Sequence, residues 1–172
     1  MTESRISPTS FEFSERDRYF MRRALQLAAT AASHSEVPVG AVAVLDDEII
    51  GEGFNCPIES SDPSCHAEII AIRQACQHLN NYRLPDVRLY VSLEPCPMCA
   101  AAMVHARVKQ VIYAAADYKT GACHSVMNFF EHPSHNHHVD AVGGLMAEEG
   151  GSILSNFFKQ RRAEIKQQKS LK

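Results

Sequence analysis

Apolar residues recur at helical spacing early in the chain. Phe20, Ala24, Leu25, Ala28, Ala31 and Ala32 form one face behind Ser14-Glu-Arg-Asp17, which has the make-up of an N-cap with acid in the first turn. This predicts a first helix ending near His34. After Val37-Pro-Val-Gly40, short apolar or alternating runs at 41–45 and 49–54 flank Asp46-Asp47-Glu48 and predict a β-hairpin. Residues 55–65, with Pro57, Ser60, Ser61, Asp62 and Pro63, have the composition of a loop. From His66 the period is helical again, with Ile69, Ile70, Ile72, Ala75 and Cys76 sharing a face, and 87–93 then alternates as a half-buried strand. Pro95 and Pro97 bracket the next helix start, where a missing N–H costs nothing; 98–106 continues as helix and 108–114 supplies another strand.

The stretch 117–138 has no period and is rich in Gly, Asn, Pro and His, and so long a connection in a compact domain is usually functional. A short last strand is predicted at 139–142. Gly143-Gly144 and Gly150-Gly151 read as punctuation before a C-terminal helix with Ile153, Leu154, Phe157, Phe158 and Ile165 on one face and basic residues on the other. Strands alternating with helices from residue 40 onward predict a layered α/β fold. Without internal repeats or a linker, 1–172 reads as a single domain, with a polar leader at 1–13 and a basic helix and tail at 152–172.

With 45% hydrophobic and 22% charged residues, the composition sets aside disorder, collagen-like repeats and extended coiled coil. The leader lacks an apolar core, and no run approaches the ~20 apolar residues that span a bilayer, so a cytoplasmic protein with no membrane partner is expected. Six cysteines without an export signal read as reduced thiols or metal ligands rather than a disulfide framework. The net charge of -3 argues against a surface that coats nucleic acid generally. Residues 157–172, however, carry six basic side chains against Glu164, a local +5 that leaves -8 elsewhere and points to an anionic partner at one end.

The chemistry concentrates in His66-Ala-Glu68 and Pro95-Cys96-Pro-Met-Cys99, each at the start of a predicted helix. Cysteines at i and i+3 in a first turn can aim both sulfurs at one point, and an imidazole from a second helix completes three ligands. Three protein ligands leave zinc an open position for water, the pattern of a catalytic site. Glu68 is then placed to take the proton of that water without binding the metal. His-x-Glu followed by Pro-Cys-x-x-Cys is the known signature of zinc nucleobase deaminases. Two other readings remain: a redox Cys-x-x-Cys pair, and a closed structural zinc with a fourth ligand from Cys65, Cys123 or a distant His. Cys56, Cys65, Cys76 and Cys123 otherwise read as small buried or loop residues.

On these motifs the chain resembles the bacterial tRNA-specific adenosine deaminases of the TadA type, within the cytidine deaminase-like superfamily. The likeness runs from Val37-Pro-Val-Gly40 through Gly51-Glu-Gly-Phe-Asn55, Cys65-His-Ala-Glu68, Leu93-Glu-Pro-Cys-Pro-Met-Cys-Ala100 and Asp117-Tyr-Lys-Thr-Gly-Ala122. It continues in His132-Pro and Asn136-His137 and ends in Phe157-Phe-Lys-Gln-Arg-Arg162. The zinc motifs specify the superfamily, while Lys-Thr-Gly-Ala, Asn-His and the Phe-Phe-x-x-Arg-Arg tail favour the tRNA branch. Ala101, where glycine is common, and the bulky Cys123-His124 depart from the pattern.

The resemblance implies a three-layer α/β/α fold on a five-stranded mixed sheet. It implies one Zn(2+) per subunit on His66, Cys96 and Cys99, with Glu68 shuttling protons. Asn55 would hydrogen-bond a flipped base, with the Ala67 N–H, Leu93 and Glu94 lining its pocket. Asp117, Lys119 and Thr120 would meet the anticodon-loop backbone, His132, Asn136 and His137 the flanking nucleotides, and Phe157, Phe158, Arg161 and Arg162 the RNA loop. The implied partners are a tRNA anticodon stem-loop and a second copy of the chain, as a homodimer. The implied reaction is hydrolysis of adenosine to inosine at the wobble position, with tRNA-Arg bearing ACG as the expected substrate. Read bare, Asn55 could make only a turn, Asp117–Thr120 an exposed turn, and the 132–138 histidines a solvated loop or a second metal site. Two functional alternatives stand beside this one: a free-base or nucleoside deaminase such as a guanine deaminase, and a non-catalytic zinc-containing RNA-binding module.

Overall fold

A computed structural model describes residues 12–170; positions 1–11 of the leader and 171–172 of the tail, Lys172 included, lie outside the described residues. The alternating runs pair as their period demands. β1 (Gly40–Leu45) and β2 (Glu48–Phe54) form the predicted antiparallel hairpin, with an irregularity between Ala43 and Val44. β3 (Arg88–Leu93) lies antiparallel to β1 and parallel to β4 (Gln110–Ala115), and β5 (Asp140–Gly143) extends the parallel half. The mixed sheet has the order β2-β1-β3-β4-β5.

Because successive strand residues point to opposite faces, the sheet builds two cores. Ala41, Ala43, Leu89, Val91 and Val111 pack under α3 (Ala67–Leu79) and α4 (Pro97–Ala106). Val42, Val44, Tyr90 and Ile112 pack on the other side against α1 (Glu15–Ser33), with α5 (Ala147–Ser170) beside it on β3 and β4. This is the three-layer α/β/α arrangement.

Two elements differ from the sequence reading. Residues 57–60, expected as loop, form a short helix α2 (Pro57–Ser60) with Pro57 in its first turn. The C-terminal helix begins at Ala147 and runs through Gly150-Gly151. Gly150 serves close packing instead of a turn: a Cβ there would lie 2.8 Å from the Ser92 carbonyl oxygen and 3.1 Å from the Ala114 Cβ. The expected apolar face of α5 packs only in its first half. Ile153 joins the core, whereas Phe158 and Ile165 are 38% and 50% exposed.

Asp17 knots α1 to the sheet. It completes a capping box with Ser14, accepts the Tyr90 hydroxyl at 2.6 Å and pairs with Arg88 at 3.2 Å. Burial by itself raises this carboxyl, but the hydrogen bonds from Tyr90 and Ser14 and the Arg88 charge outweigh burial and hold its pKa below the ordinary aspartate value. A folded pKa that is depressed contributes stability above the unfolded pKa near 4, and that stability is lost as pH falls through the folded value. Asp17→Asn is therefore expected to cost about 2 kcal/mol at pH 7 and less at pH 3. Urea unfolding at the two pH values checks this, and an equal loss at both would contradict it.

Candidate active site

His66 and Cys96 are the N-cap residues of α3 and α4, and neither side chain caps its own helix. Both point across to each other instead. His66 Nδ1 lies 3.7 Å from Cys96 Sγ and 3.6 Å from Cys99 Sγ, which sits buried one turn into α4. All three ligand atoms fall within 4.8 Å of one another, the only such group among the described residues. Tetrahedral zinc with ordinary Zn–N and Zn–S lengths would hold nitrogen and sulfur about 3.6 Å apart, so the cluster fits the ion as it stands. Among the described residues no fourth side chain joins it: Cys65 turns its thiol to Asp62 at 3.4 Å, and Cys123 lies outside the group. The closed structural site is thereby set aside.

The two helix N-termini bring partial positive charge to this point, which favours thiolate. A hydrogen bond from the Cys99 thiol, followed by His66, holds Cys96 down to about 4 despite burial. Sharing with Cys96, reinforced by burial, pushes Cys99 up, and the Cys96 bond raises His66. Glu68, in the first turn of α3, is 3% exposed, and burial pushes its carboxyl up to about 7. Its Oε2 is the one buried side-chain N or O atom among the described residues without a hydrogen-bond partner. An unpaired buried carboxylate oxygen beside three metal-type ligands is costly to keep and suited to receiving a proton.

These groups open into a cavity of about 330 Å³, the scale of a small-molecule site. His66, Glu68 and Cys96 line it together with Val39, Asn55, Leu93 and Glu94, and the more exposed Val37, Ile58, Asp117 and Thr120 border it. Asn55 Oδ1 accepts the Ala67 N–H at 2.9 Å, so the end of β2 caps α3 in place of His66. The Ala67 N–H, expected to face a base, is thus already bonded. Among the described residues the Asn55 amide nitrogen has no partner and remains for whatever enters the cavity.

Two buried carboxylates brace the walls. Glu36 accepts the N–H groups of Ile58 and Glu59 at 2.8 and 2.9 Å and so holds α2. Glu94 accepts four backbone N–H groups from the segment after β4. Burial raises the Glu94 carboxyl, but those bonds, led by the Ser125 hydroxyl, bring it below the ordinary glutamate value. The sequence reading missed Glu36 altogether, because a lone acid in a polar turn carries the pattern of a solvated residue.

Other expected residues lie elsewhere. His132, Asn136, His137, Phe157, Phe158, Arg161 and Arg162 are not among those lining the cavity. His137 donates Nε2–H to the Val108 carbonyl at 2.7 Å, His135 does the same to Phe129 at 2.8 Å, and the Asn136 carbonyl accepts from Arg107 at 2.7 Å. These bonds order the 132–138 loop without forming a second metal group among the described residues. Lys119 stands 5.9 Å from the Phe158 ring centre, which links the Asp117–Thr120 turn to α5. His124, a departure from the pattern, is accommodated by its Nδ1 contact with the Tyr113 hydroxyl at 2.9 Å.

Comparison with known proteins bears on the same residues. The family model for the cytidine and deoxycytidylate deaminase zinc-binding region matches residues 14–115. A tRNA-specific adenosine deaminase of Haemophilus influenzae is 50% identical over 159 residues, 92% of each chain. A structure solved in studies of A-to-I editing by tRNA:A34 deaminases at the wobble position of transfer RNA superposes with a TM-score of 0.77. It is 46% identical and covers 79% of this chain and 99% of its own. A guanine deaminase of Bacillus subtilis gives 0.56 at 37% identity, over 84% of this chain and 92% of that one.

Proposed function

The chain belongs to the tRNA-specific adenosine deaminases, on the zinc-binding deaminase fold, and from that premise we propose that it hydrolyses adenosine to inosine at the wobble position of a tRNA anticodon. The observation that carries this reading is the unpaired Glu68 Oε2 beside a His66, Cys96 and Cys99 cluster of zinc dimensions. Zinc, when bound by these three residues, supplies Lewis acidity that lowers the pKa of an attacking water. Glu68 accepts the water proton and returns it to N1 of the ring as oxygen adds at C6. Glu68 then passes the proton of the added hydroxyl to the amino group, the C6–N bond breaks as the C6 carbonyl forms, and adenosine and water have become inosine and ammonia. The Asn55 amide nitrogen donates to the purine edge, and the apolar walls at Val39 and Leu93 take its faces.

The same reading assigns the RNA to the exposed face beyond the cavity. Lys119 on the turn and Arg161 and Arg162 on α5 are exposed cations that can meet phosphates, with Phe157 and Phe158 beside them. No described helix is long and apolar enough to cross a membrane, and action on tRNA belongs to the cytoplasm. We take the active form to be a homodimer with one zinc per subunit. Zinc-replete protein incubated with tRNA-Arg bearing an ACG anticodon is expected to yield inosine at that one adenosine, read by sequencing. Absence of inosine together with turnover of free guanine would overturn the assignment in favour of a guanine deaminase. Bound RNA with no turnover of either would leave a non-catalytic module.

A further inference from the structure

The segment after β4 borders the cavity, and within 117–125 only Ala122 and Cys123 are buried in the apolar core. Its first half is a self-contained turn: Asp117 accepts the Lys119 and Thr120 N–H groups at 2.8 and 3.2 Å and the Thr120 hydroxyl at 2.8 Å. Beyond the Lys119 contact with Phe158, the Ala122 N–H reaches the Pro95 carbonyl at 2.8 Å, and the most extensive tie to the body is Glu94. Its Oε2 accepts the Asp117 N–H at 3.0 Å and the Ser125 hydroxyl, while Oε1 accepts the N–H groups of Cys123, His124 and Ser125 at 3.0, 2.8 and 3.0 Å. Five donors on one 2% exposed carboxylate leave no lone pair for a substrate. Gly121 shows how tightly the chain wraps it, because a Cβ there would lie 2.5 Å from the Glu94 carboxyl carbon.

We propose that Glu94 is a positioning residue that sets the Asp117–Ser125 segment as the RNA-facing wall of the site, instead of a group that reads the base. Glu94 directly follows β3 and Cys96 comes two residues later, so one backbone carries both a metal-type ligand and the post around which the wall is wound. The wall is thereby held in register with the reacting centre. Pinning Asp117 and Ser125 from inside leaves Lys119 and Thr120 exposed and presented outward. The consequence falls on capture of the RNA loop and not on the proton transfers at Glu68. This rests on the tRNA reading above.

Glu94→Gln keeps the volume but turns a donor toward a ring of N–H donors. It is expected to raise KM for an anticodon stem-loop about tenfold while kcat stays within about threefold, with zinc content unchanged. Ser125→Ala removes a single donor and should raise KM about threefold in a chain that still folds. Hydrogen exchange of the amides of Asp117, Cys123, His124 and Ser125 should accelerate in Glu94→Gln, a readout that needs no substrate. Unchanged exchange at these amides, or a kcat loss at saturating RNA with KM unaltered, overturns the positioning role. Should Glu94→Gln fail to fold, an unaltered KM in Ser125→Ala overturns it equally. A wild-type protein inert on the stem-loop overturns the functional reading itself, and the exchange measurement separates that failure from this one.

Discussion

Replacing Glu68 with glutamine is expected to lower inosine formation by about 10³-fold while leaving metal content and fold intact. The glutamine fills the same space but cannot take up a proton at Oε2, the atom left without a partner in the folded chain. Every other group at the site keeps its geometry: Asn55 still caps α3, and His66, Cys96 and Cys99 still converge. A carboxyl whose burial lifts it to about 7 is held at a cost to stability, so its amide is expected to unfold at the same or a slightly higher temperature than wild type. Single-turnover deamination at saturating RNA, with zinc measured by mass spectrometry on the same preparation, tests this. A residual rate within tenfold of wild type would remove Glu68 from the proton pathway.

The second large effect concerns the ligands. Cys99→Ala is expected to reduce zinc from one per chain to almost none and to abolish activity, because two remaining ligands leave the ion with too little donor strength. Cys99 is buried at the third position of α4, so the loss is also a stability loss. An ion bound a thousandfold above its dissociation constant contributes about 4 kcal/mol, or roughly 10 °C of melting temperature in a chain of this size. Chelation of the wild type should produce the same fall and zinc should reverse it, whereas the variant should not respond to added zinc. A variant that keeps full zinc and wild-type melting would show that Cys99 is not a ligand.

Much of this was legible in the sequence where the information is local. The i and i+3 spacing of Cys96 and Cys99, the proline at the head of α4 and the acid two residues after His66 each lie within one helical turn. There backbone geometry alone dictates which side chains converge. The hairpin and the first helix were legible for the same reason, since a period of two or of 3.6 reports which face is buried. The beginning of α5 was not: Gly150 has the composition of a turn, and only the approach of the helix to the Ser92 carbonyl shows why a side chain is excluded there.

The site divides along the same line. The sequence by itself determined the candidate chemistry: a metal-type ligand trio, a carboxylate beside it, and a basic C-terminal end. The tertiary structure decided what holds that chemistry in place. Asn55 caps a helix 12 residues away, Glu36 ties down α2 from 22 residues before it, and Glu94 gathers donors 23 to 31 residues further on. An isolated Asn or Glu in a polar stretch has the same local signature whether it is solvated or buried among N–H groups. Only the folding of distant strands and loops onto one another removes water from these carboxylates, and that desolvation turns them into the braces of the cavity.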